Sequence, residues 1–230
     1  MFIADKRLYI NLTNKCNINC PFCSMFSGPW NSTHLNFNKF KKIIDRSEGS
    51  FIEVQLEGGE PLLHEDLYLF LEYLRFTKRC IKIIISTNGI ELKDHLERLI
   101  TFCKYSNNNH YKIKLVIKKS INYHLYNLNN NIFKECNDLY LATEFIPNFK
   151  IEFNVRLRKE DNWIIEKLKE FNILKQSKVF ELQNYGRMNN SNYSKPFIVQ
   201  NINKFSLFAS DGKYFNHNLI KRSNYEKTLI

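Results

Sequence analysis

The chain has 230 residues, of which 43% are hydrophobic and 25% are charged, as is typical of a globular protein with a sizeable core. The net charge of +11 fits an anionic small substrate as well as nucleic acid. Arginine, which binds nucleic acid better than lysine does, is scarce, since lysines outnumber arginines 25 to 9, so we expect no nucleic-acid partner. No apolar run is long enough for a signal peptide or a membrane span, so we expect a cytoplasmic protein with reduced thiols and no membrane partner.

Six short segments rich in β-branched residues are predicted to be strands, because Gly, Asn, Pro or charged residues bound each of them. In chain order they are residues 7–13, 51–57, 81–87, 112–118, 150–157 and 178–184. Between them, apolar residues recur with the spacing of a helix that buries one face. The predicted helices lie within residues 36–49, 64–78, 91–104, 127–141 and 160–173.

This alternation predicts an α/β fold whose crossovers make the sheet parallel. Six units are too few to close an eight-stranded barrel, so residues 1–185 are predicted to form a partial (β/α)6 barrel. The alternation stops near Gly186. Residues 186–230 are therefore predicted to form a short C-terminal extension containing a hairpin that turns at Asp211 and Gly212.

Half of the six cysteines lie in one polar stretch directly after the first predicted strand, at Cys16, Cys20 and Cys23. A structural zinc site needs four ligands, and the nearest conceivable fourth ligand is His34, so zinc is disfavoured. Three thiolates on a four-iron cluster leave one iron open for chemistry, which favours a catalytic iron–sulfur cluster. The remaining cysteines lie far apart and fit the role of small buried hydrophobes: Cys80, Cys103 and Cys136.

The stretch "CNINCPFC" resembles the C-x-x-x-C-x-aromatic-C signature of the radical S-adenosylmethionine (radical SAM) superfamily. "GGEP", at residues 58–61, resembles the element at the end of that family's second strand. The resemblance implies a 4Fe–4S cluster on Cys16, Cys20 and Cys23 and a SAM molecule whose amino group meets Glu60.

Further SAM-binding positions follow from the same resemblance. "STNGI" matches a family element near the adenosyl group, although it also fits an ordinary strand-to-helix turn. Asn154 and Arg156 share one sheet face, where the family often contacts SAM, but both also fit plain surface residues. The implied SAM-binding residues are Phe22, Gly58, Gly59, Glu60, Pro61, Ser86, Asn88, Asn154 and Arg156.

The stretch "KKSINYHLY", residues 118–126, follows the fourth predicted strand and is predicted to face the substrate. Its candidate catalytic residues are Ser120, Tyr123 and His124, which can hydrogen-bond a polar substrate or relay a proton. Each of them also fits the cap of the next helix. Weaker candidates in the same stretch and in the C-terminal extension are Tyr126, Asp211 and His217.

The extension resembles the SPASM/Twitch tail of the GGEP-containing branch, but no cysteine follows Cys136, so no auxiliary cluster is expected. The resemblance implies hydrogen abstraction from a polar metabolite, sugar or peptide, with a flavodoxin- or ferredoxin-like protein as reductant. Three alternatives stay open. They are a glycyl-radical-enzyme activase, an RNA-modifying enzyme, and a non-enzymatic iron–sulfur or zinc protein that carries electrons or binds nucleic acid.

Overall fold

The computed structural model describes residues 2–3, 7–48, 53–107, 112–188 and 205–230. Within these ranges the strands are β1 (Phe2–Ile3), β2 (Arg7–Thr13), β3 (Ser47–Glu48), β4 (Glu53–Gly58), β5 (Lys82–Thr87), β6 (Lys114–Asn122), β7 (Phe149–Leu157), β8 (Ser177–Glu181) and β9 (Phe205–Phe208). The helices are α1 (Phe37–Arg46), α2 (Leu67–Phe76), α3 (Leu92–Asn107), α4 (Tyr123–Leu128), α5 (Ile132–Thr143), α6 (Trp163–Glu170) and α7 (Leu219–Glu226). Among the described residues, no helix has the length and apolar character needed to cross a bilayer.

Seven strands form one sheet in the order β8-β7-β6-β5-β4-β2-β9, and every neighbouring pair is parallel. The predicted α/β class and parallel open sheet are therefore confirmed. All six predicted strands are present, but the count of six was too low. β9 adds a seventh strand beside β2, in register from Arg7 opposite Phe205 to Ile10 opposite Phe208. Outside this sheet, β1 pairs with β3.

The helices pack against one face of the sheet because alternate strand residues are apolar. Leu8, Ile10 and Leu12 of β2 are fully buried in the core that also contains Phe70 of α2 and Phe133 of α5. The strand period of two turns the intervening residues to the opposite side. We call that opposite side the inner face; it carries polar side chains such as Gln55, Ser86 and Lys118.

The C-terminal residues attach to the sheet through β9 and α7. After β9 the chain folds back, with Phe215 N–H donating to Leu207 O at 2.9 Å, and Gly212 takes a left-handed φ of +88° in the turn. The buried carboxylate of Glu226 in α7 accepts hydrogen bonds from Asn11 Nδ2 and from the backbone and hydroxyl of Ser210, each at 2.7 Å. The domain boundary after residue 185 stays a prediction.

Candidate functional site

The three clustered cysteines lie on the loop between β2 and α1. Its base is closed by hydrogen bonds from Asn14 N–H to Thr33 O and from Cys16 N–H to Gly28 O, both 3.1 Å. Cys23 N–H donates to Cys20 O at 3.1 Å, which makes a tight turn between the last two cysteines. Cys16 is buried, and the other two are half-buried. The loop therefore presents its thiols from a backbone that is fixed at both ends.

Arg187 fixes the outer part of this cysteine loop. Its guanidinium donates to the carbonyl oxygens of Cys20 at 2.9 Å and of Phe26 and Ser27 at 2.8 Å. Its backbone N–H donates to Cys23 O at 3.1 Å. Sequence reasoning missed this residue, because nothing in the local pattern around "GRM" reports a contact with a loop some 160 residues earlier.

The thiols act on one another electrostatically. Burial raises the pKa of Cys16 to about 12, with smaller contributions from the charge of Glu60 and then from that of Cys23. Burial also raises the pKa of Cys20 to about 12, followed by the charges of Cys23 and Cys16, while Arg187 opposes the rise. Without a bound cation these groups stay protonated thiols. A metal centre that deprotonates thiols is the partner that suits this donor set.

Across the described ranges, no three His, Cys, Asp or Glu side chains are spaced to hold a single metal ion. His34, the fourth ligand that a zinc site would use, packs its ring 5.3 Å from the ring of His64. A four-iron cluster makes a different demand, because each thiolate binds a different iron and the sulfurs do not converge on one point. The cysteine loop thus fits a cluster better than zinc.

The GGEP residues pack against the backbone of the cysteine loop. Gly59 N–H donates to Thr13 O at 2.7 Å, and Glu60 N–H donates to Lys15 O at 2.9 Å. A Cβ at Gly58 or Gly59 would overlap the carbonyl oxygens of Thr13 and Lys15. These glycines are therefore required for contact between two chain segments, whereas the sequence interpretation assigned them to contact with SAM. Pro61 is buried and begins the short turn that follows.

Glu60 is fully buried, and its carboxylate is already hydrogen-bonded within the chain. It accepts from Leu62 N–H at 3.1 Å and from Thr87 Oγ1 and Asn88 N–H at 2.7 Å. Burial raises its pKa to about 7. A carboxylate has about four acceptor positions, so one position remains for a further donor. This remaining position can accept a hydrogen bond from the SAM amino group, and that contact stays a prediction.

Asn88 joins the end of β5 to the cysteine loop. Its Nδ2 lies 3.7 Å from Cys16 Sγ and donates to Asn17 Oδ1 at 2.8 Å. Ser86, the second residue before Asn88, lies on the inner face, where its hydroxyl is 3.1 Å from Gln55 Nε2. The structure thus brings Asn88 to the thiols and keeps Ser86 with the polar side chains of the sheet.

Two predicted catalytic residues contact the aromatic position of the cysteine motif. The ring of Phe22 lies 5.5 Å from that of Tyr123 and 6.5 Å from that of His124. Burial lowers the pKa of His124. Arg158, which sequence reasoning did not select, stacks its guanidinium 3.5 Å from the Tyr123 ring. The rings of Phe22, Tyr123 and His124 form an aromatic cluster beside the cysteine loop.

The other candidates divide between the inner face and the periphery. Ser120 and Asn154 are register partners on β6 and β7, and Arg156 lies two residues farther along the same face. The peripheral residues have structural partners: Tyr126 packs 4.8 Å from Trp163, and Asp211 accepts from the hydroxyl of Tyr225 at 2.8 Å. His217 lies in the turn before α7.

A protein-family comparison matches residues 10–113 to the Radical SAM superfamily. The chain is 28% identical over 210 residues to GTP 3',8-cyclase of Staphylococcus epidermidis, covering 82% of this chain and 57% of that one. It is 33% identical over 101 residues to GTP 3',8-cyclase of Aquifex aeolicus, covering 41% and 31%. This chain thus spans little more than half the length of the first relative and a smaller share of the second.

Among solved structures, Streptococcus suis SuiB bound to precursor peptide SuiA shares 18% identity with a TM-score of 0.57, covering 85% of this chain and 43% of SuiB. The anSMEcpe structure with bound AdoMet shares 15% identity with a TM-score of 0.56, covering 82% and 56%. At these identities the likeness concerns the fold. It agrees with the open parallel sheet of this chain.

Proposed function

This chain belongs to the radical SAM superfamily, and we propose that it cleaves S-adenosylmethionine reductively at a 4Fe–4S cluster held by Cys16, Cys20 and Cys23. The family uses this cluster and SAM, which together supply a 5′-deoxyadenosyl radical. We propose that the radical abstracts hydrogen from a polar metabolite, sugar or peptide. The electron donor is a flavodoxin- or ferredoxin-like protein.

The contact between Asn88 and Cys16 is the observation that carries the proposal. It connects residues 72 positions apart, and Asn88 also donates its backbone N–H to Glu60. Three sequence elements, from the carboxyl ends of β2, β4 and β5, therefore meet at one place. The carboxyl ends of parallel strands are where sheets of this kind bind ligands.

The surrounding residues suit a reaction that water would quench. Phe22, Tyr123 and His124 pack together beside the thiols, and such packing keeps solvent away from a reactive species. Glu60 offers one remaining acceptor position to an ammonium group. Ser120 and Asn154, on the inner face, are placed to hydrogen-bond a polar ligand.

The names of two similar proteins support two kinds of substrate that can be tested first. GTP 3',8-cyclase is named for a nucleotide, which favours a small polar metabolite. The SuiB structure holds a precursor peptide, which supports a peptide substrate. A glycyl-radical activase would act on a partner protein instead, and formation of a glycyl radical on such a partner would identify it.

The test is anaerobic reconstitution with iron and sulfide, reduction with dithionite, and quantification of 5′-deoxyadenosine after addition of SAM. We expect the unaltered chain to form a cluster and cleave SAM, and Cys20→Ala to lose both. Cys136→Ala is the matched control, because Cys136 is fully buried in α5 and should leave both properties intact.

Two results would contradict the proposal. If Cys20→Ala still cleaves SAM, the ligand assignment is wrong. If the unaltered chain holds a stable cluster that cannot cleave SAM, an electron carrier is the better interpretation. The remaining cysteines argue against a carrier with four cysteine ligands, because all of them are fully buried in the core: Cys80, Cys103 and Cys136.

A further inference from the structure

The cysteine loop reaches the protein surface beside the proposed cluster ligands. Four of its exposed side chains are uncharged: Asn19, Pro21, Pro29 and Trp30. Trp30 is 57% exposed, although tryptophan is on average a well-buried residue. Aromatic side chains are enriched where proteins contact one another, because they combine a large apolar area with a polar group. The exposed ring is therefore a candidate contact for another molecule.

Trp30 is connected to two of the cysteines through single residues. Its ring packs on Gly28, where an added Cβ would overlap the ring atoms. The Gly28 carbonyl oxygen accepts from Cys16 N–H at 3.1 Å. The Arg187 guanidinium lies 5.8 Å from the Trp30 ring and donates to Cys20 O at 2.9 Å. A molecule that contacts Trp30 is thus close to the proposed cluster ligands.

Two cations lie on the same side of the loop. One is Arg187, and the other is Lys227, which is exposed directly after α7. Lys227 Nζ lies 5.5 Å from the ring of Phe26, whose carbonyl oxygen accepts from Arg187 Nη2 at 2.8 Å. We call Trp30, Arg187 and Lys227 the docking face. It consists of one exposed aromatic ring and two positive charges.

The surrounding sequence has few carboxylates to oppose these charges. Residues 14–44, which contain the cysteine loop, include no Asp or Glu. Residues 186–230 contain seven Lys or Arg and only two acidic residues, Asp211 and Glu226. Glu226 is fully buried, and Asp211 accepts from the hydroxyl of Tyr225 at 2.8 Å. Neither of these carboxylates neutralises the docking face.

Carboxylates that other elements bring near the cysteine loop are engaged within the chain. Glu91 accepts from Asn17 Nδ2 at 2.9 Å. Glu160 and Asp161 form ion pairs with Arg158, at 3.1 and 2.8 Å. The charge at the docking face is therefore positive, which attracts a partner with an acidic surface.

We propose that the docking face binds an acidic one-electron carrier protein, which reduces the cluster from this side of the cysteine loop. This inference rests on the proposed function, because it locates the encounter with the reductant of that reaction. The carrier loses one electron and the cluster gains it, so no further reactant is needed. Tryptophan and arginine often dominate the binding energy of interfaces, and transient redox complexes have small contact areas. A face of this size and composition suits such a complex.

Nucleic acid is the other class of partner that an aromatic ring and cations bind. Single-stranded nucleic acid is held by several stacking rings along a basic groove, whereas the docking face offers one ring. The position of the face also favours an electron carrier, because a carrier must come close to the cluster that it reduces. The experiments below include an oligonucleotide for this comparison.

The test is the rate of cluster reduction in the reconstituted full chain, followed anaerobically by stopped-flow absorbance. One reductant is a flavodoxin of net negative charge in its hydroquinone form, and the other is dithionite, which needs no docking surface. We expect Trp30→Ala and Lys227→Glu each to slow reduction by flavodoxin at least about tenfold and to leave reduction by dithionite unchanged. Phe76→Ala on α2 and Lys42→Glu on α1 alter exposed residues elsewhere and should react as the unaltered chain does.

Two results would overturn the inference. They are equal rates with flavodoxin for all variants, and equal slowing with both reductants, which would indicate a general change at the cluster. The 5′-deoxyadenosine formed after dithionite reduction is measured in the same samples, because this reaction does not depend on docking. Its absence from the unaltered chain contradicts the proposed function, whereas its presence together with equal flavodoxin rates contradicts only this inference.

A second measurement does not depend on electron transfer. Binding of oxidised flavodoxin to the full chain should weaken as salt rises, and Trp30→Ala should weaken it at least about tenfold while Phe76→Ala does not. If the unaltered chain assembles no cluster, the proposed function is contradicted, and this measurement decides whether the docking face exists. No binding of flavodoxin would overturn the inference. So would a single-stranded DNA oligonucleotide whose binding depends on Trp30 when that of flavodoxin does not.

Discussion

The side-chain amide of Asn88 donates to the Sγ of Cys16 over 3.7 Å, across 72 positions of sequence. Its Oδ1 accepts from Ile90 N–H at 2.9 Å, which fixes the orientation of the amide. Hydrogen bonds to cluster sulfurs are one of the means by which proteins tune an iron–sulfur centre. Asn88 is therefore both a link between β5 and the cysteine loop and a donor to the sulfur of Cys16, a proposed cluster ligand.

Replacing Asn88 with Asp tests this link. Aspartate retains the acceptor for Ile90 N–H but cannot donate to sulfur, and it places a negative charge beside a thiolate. We expect the cluster to be held at least about tenfold more weakly, because like charges this close repel by more than about 1.4 kcal/mol at a half-buried site. Iron per chain after gel filtration measures the effect.

Asn162→Asp is the control for that change, since Asn162 is exposed at the start of α6 and far from the cysteines in sequence. It should retain its iron. An Asn88→Asp protein that retains as much iron as the control would show that the contact with Cys16 has no energetic role.

The elevated pKa of Glu60 predicts a pH dependence of stability. Because burial raises this pKa from 4.5 to about 7, the folded state binds more protons than the unfolded state between those values. The contribution of Glu60 to stability is therefore largest below pH 4.5 and falls as the pH rises to about 7, by about 3 kcal/mol in total.

Urea unfolding of the unaltered chain and of Glu60→Gln between pH 4.5 and 8 isolates this effect, because the other carboxylates are common to both proteins. The free energy of unfolding of the unaltered chain should fall relative to the variant as the pH rises. If the free energy of unfolding of the unaltered chain rises with pH relative to that of Glu60→Gln, the folded state stabilises the carboxylate as an anion.

Arg187 is predicted to hold the cysteine loop in shape. Arg187→Ala removes three charge-assisted hydrogen bonds to loop carbonyls, so we expect a loss of roughly 2–4 kcal/mol of stability and faster proteolysis within residues 20–27. Arg187→Lys should recover part of the loss. Arg46→Ala, at an exposed position in the last turn of α1, should change stability by less than about 0.5 kcal/mol. Equal effects at both positions would contradict the role of Arg187.

Glu226 is predicted to attach α7 to the sheet. Glu226→Ala leaves the donors of Asn11 and Ser210 buried without their acceptor, which should cost roughly 3–5 kcal/mol of stability. Glu226→Gln keeps one acceptor oxygen and should cost less. Urea unfolding measures both variants, and an alanine variant as stable as the unaltered chain would rule out the attachment.

The local sequence pattern was sufficient to predict most strands of the sheet. The alternation in residues 7–13 gave the bounds of β2, and the helical spacing of Phe40, Ile43 and Ile44 gave the buried face of α1, because both patterns follow from burial of one side of an element. The cysteine spacing and the GGEP element indicated the candidate site for a similar reason, since each is a contiguous stretch of sequence.

What the sequence did not reveal depends on contacts between distant segments. β9 has four residues, and its place beside β2 is set by pairing rather than by pattern. Parity puts Lys118 and Ser120 on one face of β6 but does not show which residues of the neighbouring strand lie opposite them, namely Glu152 and Asn154. The internal hydrogen bonds of Glu60 likewise depend on where β5 ends relative to β4.

The placement of β9 has a practical consequence for any shortened version of this protein. A chain cut after residue 188 would leave β2 as an outermost strand, with its free N–H and C=O groups turned to solvent along Arg7 to Ile10. Such a row is a template on which a second molecule can add its own strand. We expect that fragment to self-associate and precipitate, because it lacks the strand that occupies this edge of β2 in the full chain.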